Sequence, residues 1–316
     1  MSRVPALPPR LLPGQTIGLI SPSGPASPAV VEAARARLSQ EGFRTVVGRH
    51  ALDVRGYLAG NDADRAADVH AMFVDPDIHA VLCVRGGYGA MRLLDALQYD
   101  LIRRHPKIFI GYSDVTALHL AFYHRAGFVT FHGPMTTAIA KDDGHDLHQL
   151  LRAVTLPQPL GPLVNPPGAP EIEPLVPGAA EGTLIGGNLA LLTSLLGTPY
   201  LPPFSGAVLF IEDIVDHLYR LDRKLVHLRL AGVLEQVAGI VVGESSARDR
   251  KAGGDAPPPE LSMREILEDL IIRLGKPAIY GLACGHGASH LTLPIGVRAR
   301  LDATHGVLSI EDPAVT

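Results

Sequence analysis

Short apolar runs alternate with amphipathic stretches through the first half of the 316-residue chain. Runs at 80–84 and 108–111 are apolar throughout, as in strands that are covered on both faces of a parallel sheet. Between the runs, apolar residues recur every three or four positions, which predicts helices. The predicted strands are 15–22, 43–48, 80–84 and 108–111, and the predicted helices are 29–41, 62–73, 90–97 and 115–125. This alternation predicts βαβ units around a parallel sheet, with ligands beyond the carboxyl ends of its strands.

The pattern changes at residues 156–181, where eight prolines prevent a continuous helix. We interpret this stretch as a stiff, extended linker between a domain at 1–155 and a second domain at 182–316. In the second domain the pattern predicts helices at 188–196, 218–231 and 262–274, strands at 207–211 and 239–243, and a Gly/Pro-rich loop at 247–259.

Composition narrows the class of protein. A hydrophobic fraction of 47% can supply a sizeable core, and the net charge of −4 disfavours nucleic acid and anionic membranes as partners. The 33 glycines and 27 prolines indicate many turns and close backbone approaches. Two cysteines cannot build a disulfide framework. We see neither a secretory signal nor an apolar run long enough to span a membrane, and we expect a cytoplasmic protein.

The strongest local signal is the junction between the strand at 108–111 and the helix that follows it. Ser113 lies on a sharp strand-to-helix turn, which is the geometry of a nucleophile elbow. The helix N terminus behind it offers unpaired N–H groups that favour a developing oxyanion. However, Val115 stands where G-x-S-x-G has its second glycine. The alternative is that Ser113 or Asp114 only caps the helix.

A second signal is the segment Arg85-Gly86-Gly87-Tyr88-Gly89, which follows the predicted strand at 80–84. Adjacent glycines let backbone N–H groups approach a ligand oxygen, as in an oxyanion hole, and a plain tight turn is the alternative. A dinucleotide-binding loop would need a further glycine at Arg92, so a nucleotide site is weakly supported.

Two later residues could complete a catalytic set. Glu212 follows the predicted strand at 207–211, and His286 lies between Gly285 and Gly287, which predicts an uncrowded, accessible imidazole. The order serine, glutamate, histidine provides a nucleophile, an orienting carboxylate and a base that is neutral near pH 7. The alternative is a solvated carboxylate and an ordinary turn histidine, one of 14 in the chain.

Other reactive groups are weaker candidates. The segment at 142–148 is rich in aspartate and histidine but lacks a recognised metal-binding pattern, so we expect a solvated loop and no metal. Cys284 has apolar neighbours and is expected to be a packed thiol rather than a nucleophile.

Taken together, these segments resemble the LD-carboxypeptidase family, whose best-known members are serine peptidases that trim murein peptides. The resemblance covers nearly the whole chain. Its motifs are Gly14-Gln15-Thr16-Ile17-Gly18, Ser21-Pro22-Ser23-Gly24-Pro25, Gly56-Tyr57-Leu58-Ala59-Gly60, Arg85-Gly86-Gly87-Tyr88-Gly89, Gly111-Tyr112-Ser113-Asp114, Phe131-His132-Gly133-Pro134, Gly186-Gly187-Asn188-Leu189, Glu212-Asp213, Tyr219-Arg220-Leu221-Asp222-Arg223 and Gly285-His286-Gly287.

The resemblance implies a role for each candidate residue. Ser113 would be the nucleophile, Glu212 the carboxylate that orients the base, and His286 the general base and acid. The oxyanion hole would be formed by the backbone N–H groups of Gly87 and Asp114. The implied fold is α/β: an N-terminal parallel-sheet domain that carries the serine and a smaller mixed C-terminal domain that carries the glutamate and histidine, with the site between them.

The implied reaction is hydrolysis of the amide bond between an L-centre and a terminal D-alanine of a murein tetrapeptide, in peptidoglycan recycling. It needs no cofactor, its partner is a small muropeptide, and the implied assembly is a homodimer. Arg85 is a candidate partner for the substrate's terminal carboxylate, and an internal salt bridge is the alternative.

Two other functions stay open. One branch of the family cleaves a peptide–nucleotide antibiotic and stacks the base on a tryptophan, and this chain has no tryptophan. The other alternative is a non-catalytic module that binds a muropeptide or a nucleotide.

Overall fold

The computed structural model describes residues 4–141, 144–244, 246–247, 261–287 and 289–316. Two large sheets carry helices against their faces, so the predicted α/β class is confirmed. In the first part of the chain the elements are β1 (Thr16–Ile20), α1 (Pro28–Gln40), β2 (Arg44–Val47), α2 (Asp62–Val74), β3 (Ala80–Cys83), α3 (Tyr99–Arg104), β4 (Ile108–Gly111), α4 (Thr116–Ala121), β5 (Thr130–His132), α5 (Thr136–Ile139) and α6 (His145–Thr155).

The later elements supply all eight strands of the second sheet. They are β6 (Gly161–Leu163), β7 (Glu173–Val176), β8 (Ala179–Asn188), α7 (Leu189–Ser194), β9 (Val208–Glu212), β10 (Ile214–Val215), α8 (Leu218–Leu230), α9 (Val233–Gln236), β11 (Gly239–Gly243), β12 (Ser246–Ala247), α10 (Met263–Leu270), β13 (Ala278–Leu282), β14 (Leu293–Ile295), β15 (Arg298–Asp302) and β16 (Val307–Ile310).

The first sheet has six strands in the order β14-β5-β4-β3-β1-β2. Strands β1 to β5 are parallel, as the alternating pattern predicts, and β3 and β4 are buried along their whole length. The sixth strand, β14, comes from the far end of the chain and pairs antiparallel with β5. The edge of the first sheet is therefore completed by the second half of the sequence.

The second sheet is mixed and has the order β6-β16-β15-β8-β9-β11-β13-β7. Its centre, from β8 to β13, is parallel, and the outer strands are antiparallel. The carboxyl ends of β9 and β13 deliver Glu212 and the segment before His286 to the same edge of the sheet.

The proline-rich stretch at 156–181 differs from the extended linker that the sequence predicts. It supplies β6 at one edge of the second sheet, β7 at the other, and the start of β8. Pro162 and Pro174 lie within β6 and β7, and proline is tolerated there because an edge strand need not donate a ladder hydrogen bond on both sides. The stretch thus belongs to the second sheet, whereas the domain boundary drawn there stays a prediction.

Local details follow the sequence signals in part, since the predicted helix at 90–97 is only a 3₁₀ turn at Ala90–Leu93. The predicted helix at 115–125 is a 3₁₀ turn at Ser113–Val115, then α4, then a π turn at Phe122–Ala126. The Ser262–Glu265 pair forms a capping box at the start of α10.

Residues 248–259 of the predicted loop, and Asp142 and Asp143, lie outside the described residues. None of the helices in the described parts of the chain has the length and apolar character needed to cross a membrane.

Candidate active site

Ser113 stands at the turn between β4 and the helical segment that continues into α4. Its φ is +62°, which makes it the only non-glycine residue with positive φ in the described part of the chain. Two glycines make the turn possible. A Cβ on Gly111 would lie 2.8 Å from the Val115 side chain, and a Cβ on Gly86 would lie 2.9 Å from the Ser113 Cβ. The elbow geometry predicted from sequence is present although the second glycine of the motif is Val115.

Ser113, His286 and Glu212 form one hydrogen-bonded chain. Glu212 Oε2 accepts from the His286 Nδ1–H at 2.7 Å, which leaves Nε2 to accept from the Ser113 hydroxyl at 3.1 Å. The glutamate side chain is fully buried, and the imidazole is 14% exposed. The three residues come from the ends of β4, β9 and β13, so the site lies where the two sheets meet.

The second oxygen of the Glu212 carboxylate is bonded by Asn188, a residue for which the sequence predicts no role. Asn188 Nδ2 donates to Glu212 Oε1 at 3.1 Å, and the Asn188 side-chain oxygen caps α7. The Asn188 N–H donates to Thr116 Oγ1 at 3.0 Å, which joins the second sheet to α4. Gly187 allows this approach, because a Cβ there would lie 2.6 Å from the Thr116 side chain.

The backbone N–H groups proposed for the oxyanion hole lie on two segments that are bonded to each other. Asp114 Oδ2 accepts from the Ala90 N–H at 2.8 Å, so the residue after the nucleophile is tied to the glycine loop. The Asp114 side chain is buried, and burial raises the pKa of its carboxyl. Gly87 has φ +113°, a conformation that favours glycine, and lines the same cleft as Ser113.

A fully buried arginine is hydrogen-bonded to the glycine loop. The sequence patterns do not predict this role for the arginine. Arg65, on α2, donates through Nη1 to the carbonyl of Pro22 and to that of Gly89, the latter at 3.0 Å. Its Nη2 donates to Asp62 Oδ1 at 2.5 Å. Hydrogen bonds from Arg92, and then from Arg65, lower the pKa of the Asp62 carboxyl to about 2. Arg65 therefore links two loops that surround Gly87.

The glycines beside His286 have a different function from the one expected. Rather than leaving the imidazole uncrowded, they let the loop press against Glu244. A Cβ on Gly285 would lie 2.7 Å from the Glu244 carbonyl oxygen, and one on Gly287 would lie 1.8 Å from Glu244 Oε1. Burial raises the pKa of Glu244. The loop is thus held by close packing, which keeps the imidazole in place.

The His286 imidazole packs against Tyr112, which in turn contacts the buried rings of His132 and His290. The Tyr112 ring centroid is 5.1 Å from that of His286 and 4.3 Å from that of His290. His132 Nε2 donates to the carbonyl of Cys284 at 2.8 Å. The thiol of Cys284 is fully buried, and burial raises its pKa well above the ordinary value. This environment is that of the packed thiol expected from sequence, and it disfavours a cysteine nucleophile.

The cleft above Ser113 has a volume of about 530 Å³. Its described lining is formed by Arg85, Gly86, Gly87, Tyr112, Ser113, Met135, Thr137, Lys141, Ile214 and His286. Arg85 is exposed, and its Nη1 donates to the Pro25 carbonyl at 3.1 Å. It forms no ion pair with any described residue, so the internal salt bridge weighed as an alternative is absent from the described part of the structure.

One group of side chains elsewhere has the composition of a metal site. The ligand atoms of His50, Asp53 and Asp64 lie within 4.8 Å of one another. His50 Nδ1 is already 2.8 Å from Asp53 Oδ2, an ordinary surface pair. None of these three residues is among those that line the cleft.

Comparison with known families matches both halves of this architecture. A family model described as the LD-carboxypeptidase N-terminal domain matches residues 17–133, and one described as the C-terminal domain matches residues 181–301. The chain belongs to the LD-carboxypeptidase family. It is accordingly an enzyme of the LD-carboxypeptidase type, a serine hydrolase.

Individual LD-carboxypeptidase relatives cover almost the whole chain. A Bacillus subtilis protein named "Probable murein peptide carboxypeptidase" is 41% identical over 310 residues, which are 94% of this chain and 92% of that protein. The Escherichia coli microcin C7 self-immunity protein MccF is 30% identical over 346 residues, 98% of this chain and 96% of that protein.

Solved LD-carboxypeptidase-type structures share the fold. MccF in complex with aspartyl sulfamoyl adenosine has a TM-score of 0.89 at 27% identity, over 99% of this chain and all of that one. The muramoyltetrapeptide carboxypeptidase of Oxalobacter formigenes has a TM-score of 0.79 at 31% identity, over 94% of this chain and 99% of that one.

Proposed function

We propose that this protein is a serine carboxypeptidase that removes the terminal D-alanine of murein tetrapeptides by hydrolysing the amide bond to an L-centre. The observation that carries the proposal is the chain of contacts from Glu212 through His286 to Ser113, at 2.7 and 3.1 Å, at the bottom of an open cleft. The relatives named as murein peptide and murein tetrapeptide carboxypeptidases support the substrate class.

Each group has a step in the reaction. His286 Nε2 takes the proton of the Ser113 hydroxyl as the oxygen attacks the scissile carbonyl. The backbone N–H groups of Gly87 and Asp114 stabilise the oxyanion, and Glu212 stabilises the imidazolium. His286 then gives the proton to the leaving amine of D-alanine. Water, activated by the same imidazole, hydrolyses the acyl-enzyme.

Arg85 is proposed to bind the terminal carboxylate of the substrate. It lies two residues after the end of β3, next to the glycine loop, and it forms no ion pair with a described residue. A guanidinium pairs with a carboxylate through two parallel hydrogen bonds, which would fix the position of the leaving residue.

The test of this function is D-alanine release from matched peptides. The protein should release D-alanine from peptides that end in an L,D bond and leave D,D-terminated peptides intact. The Ser113→Ala variant should lose at least about a thousandfold in kcat, because the nucleophile is gone. Ser39→Ala, a change on the exposed face of α1, serves as the control. Unchanged turnover by Ser113→Ala with both variants folded would contradict the proposal.

The antibiotic-cleaving branch is the second candidate, since MccF matches the fold at a TM-score of 0.89. Incubation with aspartyl sulfamoyl adenosine separates the two. Cleavage of that compound in preference to the L,D-peptides would favour the second candidate. A cytoplasmic location and a homodimeric assembly stay predictions that rest on the sequence and its resemblance.

A further inference from the structure

The described lining of the cleft above Ser113 is positively charged, although the whole chain carries a net charge of −4. Of the described residues that line it, Arg85 and Lys141 are the ones with a permanent charge, and both are cations. The Glu212 carboxylate is fully buried behind His286 and does not line the cleft. The described lining therefore offers two cations and no carboxylate to neutralise them.

Lys141 is unpaired in the described structure. Its side chain is exposed and makes no ion pair or side-chain hydrogen bond to a described residue. Many other cations of the chain do have carboxylate partners, such as Arg92 with Asp62 and Lys224 with Asp213. The two cations of the cleft differ from these because nothing in the described lining neutralises them.

The segment that carries Lys141 is hydrogen-bonded to the residue before Arg85. The Thr137 N–H donates to the carbonyl of Val84 at 3.1 Å, and Val84 directly precedes Arg85. The Lys141 N–H donates to the carbonyl of Ala138 at 2.9 Å, which closes the turn after α5. Arg85 and Lys141 thus lie on two segments that are hydrogen-bonded to each other, and both residues line the same cleft.

We propose that Lys141 binds a second carboxylate of the peptide substrate, separate from the terminal carboxylate assigned to Arg85. This inference rests on the proposed function. One carboxylate occupies the Arg85 N–H donors that do not bond the Pro25 carbonyl, which leaves the compact ammonium of Lys141 for another anion. A peptide with two carboxylates neutralises the cleft, whereas a peptide with one leaves a cation uncompensated when the ligand displaces water. The enzyme therefore selects peptides with a second carboxylate close to the scissile bond.

Binding to an inactive variant tests this without turnover. The Ser113→Ala protein is titrated calorimetrically with L,D-peptides that end in D-alanine. One has L-glutamate immediately before the D-alanine, one has glutamate a position earlier, and a third has glutamine at both positions. In the Ser113→Ala protein, the further change Lys141→Gln should weaken the binding of one of the two glutamate peptides by about fivefold, as for a partly exposed ion pair. The binding of the glutamine peptide should not change.

Two further variants make the comparison specific. Arg85→Gln should weaken all three peptides alike, because all carry the terminal carboxylate. Lys276→Gln, just before β13 and outside the cleft, should change none of them. Equal weakening of all three peptides by Lys141→Gln, or no weakening of any, would overturn the assignment of Lys141.

The proposed function is judged separately, by whether the wild-type protein releases D-alanine from these peptides. Release with no charge-dependent effect of Lys141→Gln would leave the function standing and remove the Lys141 assignment. Charge-dependent binding without D-alanine release would support the Lys141 assignment and contradict the proposed function.

Discussion

Ser113 has a strained backbone conformation that exposes its hydroxyl to the cleft. A left-handed backbone costs an L-amino acid about 1–2 kcal/mol, and Ser113 adopts it at φ +62°. The surroundings enforce this conformation, since β4 is buried before it and the Asp114 carboxylate is bonded to Ala90 after it. Strain held in this way at a reactive side chain is typical of functional sites.

Replacing Ser113 by glycine should therefore stabilise the fold. Ser113→Gly relieves the left-handed strain but adds freedom to the unfolded chain, so we expect a net gain of about 0.5–1 kcal/mol over Ser113→Ala. Both variants lack the hydroxyl, which makes the alanine protein the matched control. The free energies of unfolding are compared by denaturant titration. An alanine variant as stable as the glycine variant would contradict the idea that the elbow is strained.

The residues proposed to act directly in the reaction were easier to predict than the residue that holds Glu212. Ser113, Glu212 and His286 each follow a recognisable local signal: a strand end, an elbow or a glycine pair. Asn188 does not, because its contact with Glu212 depends on the register of two parallel strands. In β8 and β9 the two residues are direct partners, and a single sequence does not specify that pairing.

At the scale of elements, the loop after β13 is fixed by packing against the residue that follows β11. Gly287 has no side chain where Glu244 Oε1 lies, so the loop and the carboxyl share one small space. The conformation of His286 is therefore set by Glu244, which lies 42 residues earlier in the chain, as well as by its own hydrogen bonds.

Gly287→Ala should displace this loop and lower kcat by about a hundredfold, the effect of moving a catalytic group by about 1 Å. The added methyl group collides with Glu244 Oε1, so the double variant Gly287→Ala with Glu244→Ala should recover much of the lost rate. Steady-state kinetics on an L,D-peptide provides the measurement, with Glu244→Ala alone as the control. If the double variant were as slow as Gly287→Ala, contact with Glu244 would not be the cause.

Elements were predictable where the sequence carries a clear local signal. The strands β3 and β4 were found because they are apolar throughout, and α10 because its capping box marks its start. The strands β6 and β7 were not predicted, because each contains a proline, and proline is unfavourable in a strand that is not at a sheet edge. Likewise β14 has three residues with a central proline, and only its antiparallel pairing with β5 makes it a strand.

Across the whole molecule, three fully or almost fully buried histidines make the fold less stable in acid. Burial lowers the pKa of His119 to about 3, and it lowers those of His132 and His290 as well. In the unfolded chain each imidazole has a pKa near 6.5. Below that pH the unfolded chain therefore binds more protons at these positions, which lowers the free energy of unfolding as the pH falls. Buried carboxyls with raised pKa values, such as Asp114 and Glu244, act in the opposite direction.

His119→Gln isolates one of these contributions. The amide can still donate to the Gly111 carbonyl, which His119 Nε2 contacts at 2.8 Å, but it does not titrate. Between pH 6.5 and about 3, wild-type protein should lose about 1.4 kcal/mol of stability per pH unit relative to the variant. Unfolding free energies measured from pH 7.5 to 4.5 give this difference. Parallel profiles for the two proteins would contradict it.

The pairing of β14 with β5 has a consequence for how the protein is made. During synthesis, β5 leaves the ribosome about 160 residues before β14, so its outer edge has no partner until residues 293–295 follow. An unpaired strand edge is a template for association with other chains. Ribosomes that stall in the second half of the message would therefore release chains that carry the complete nucleophile elbow beside an open edge. Such fragments should be prone to aggregation, because the first sheet is completed only by the last part of the chain.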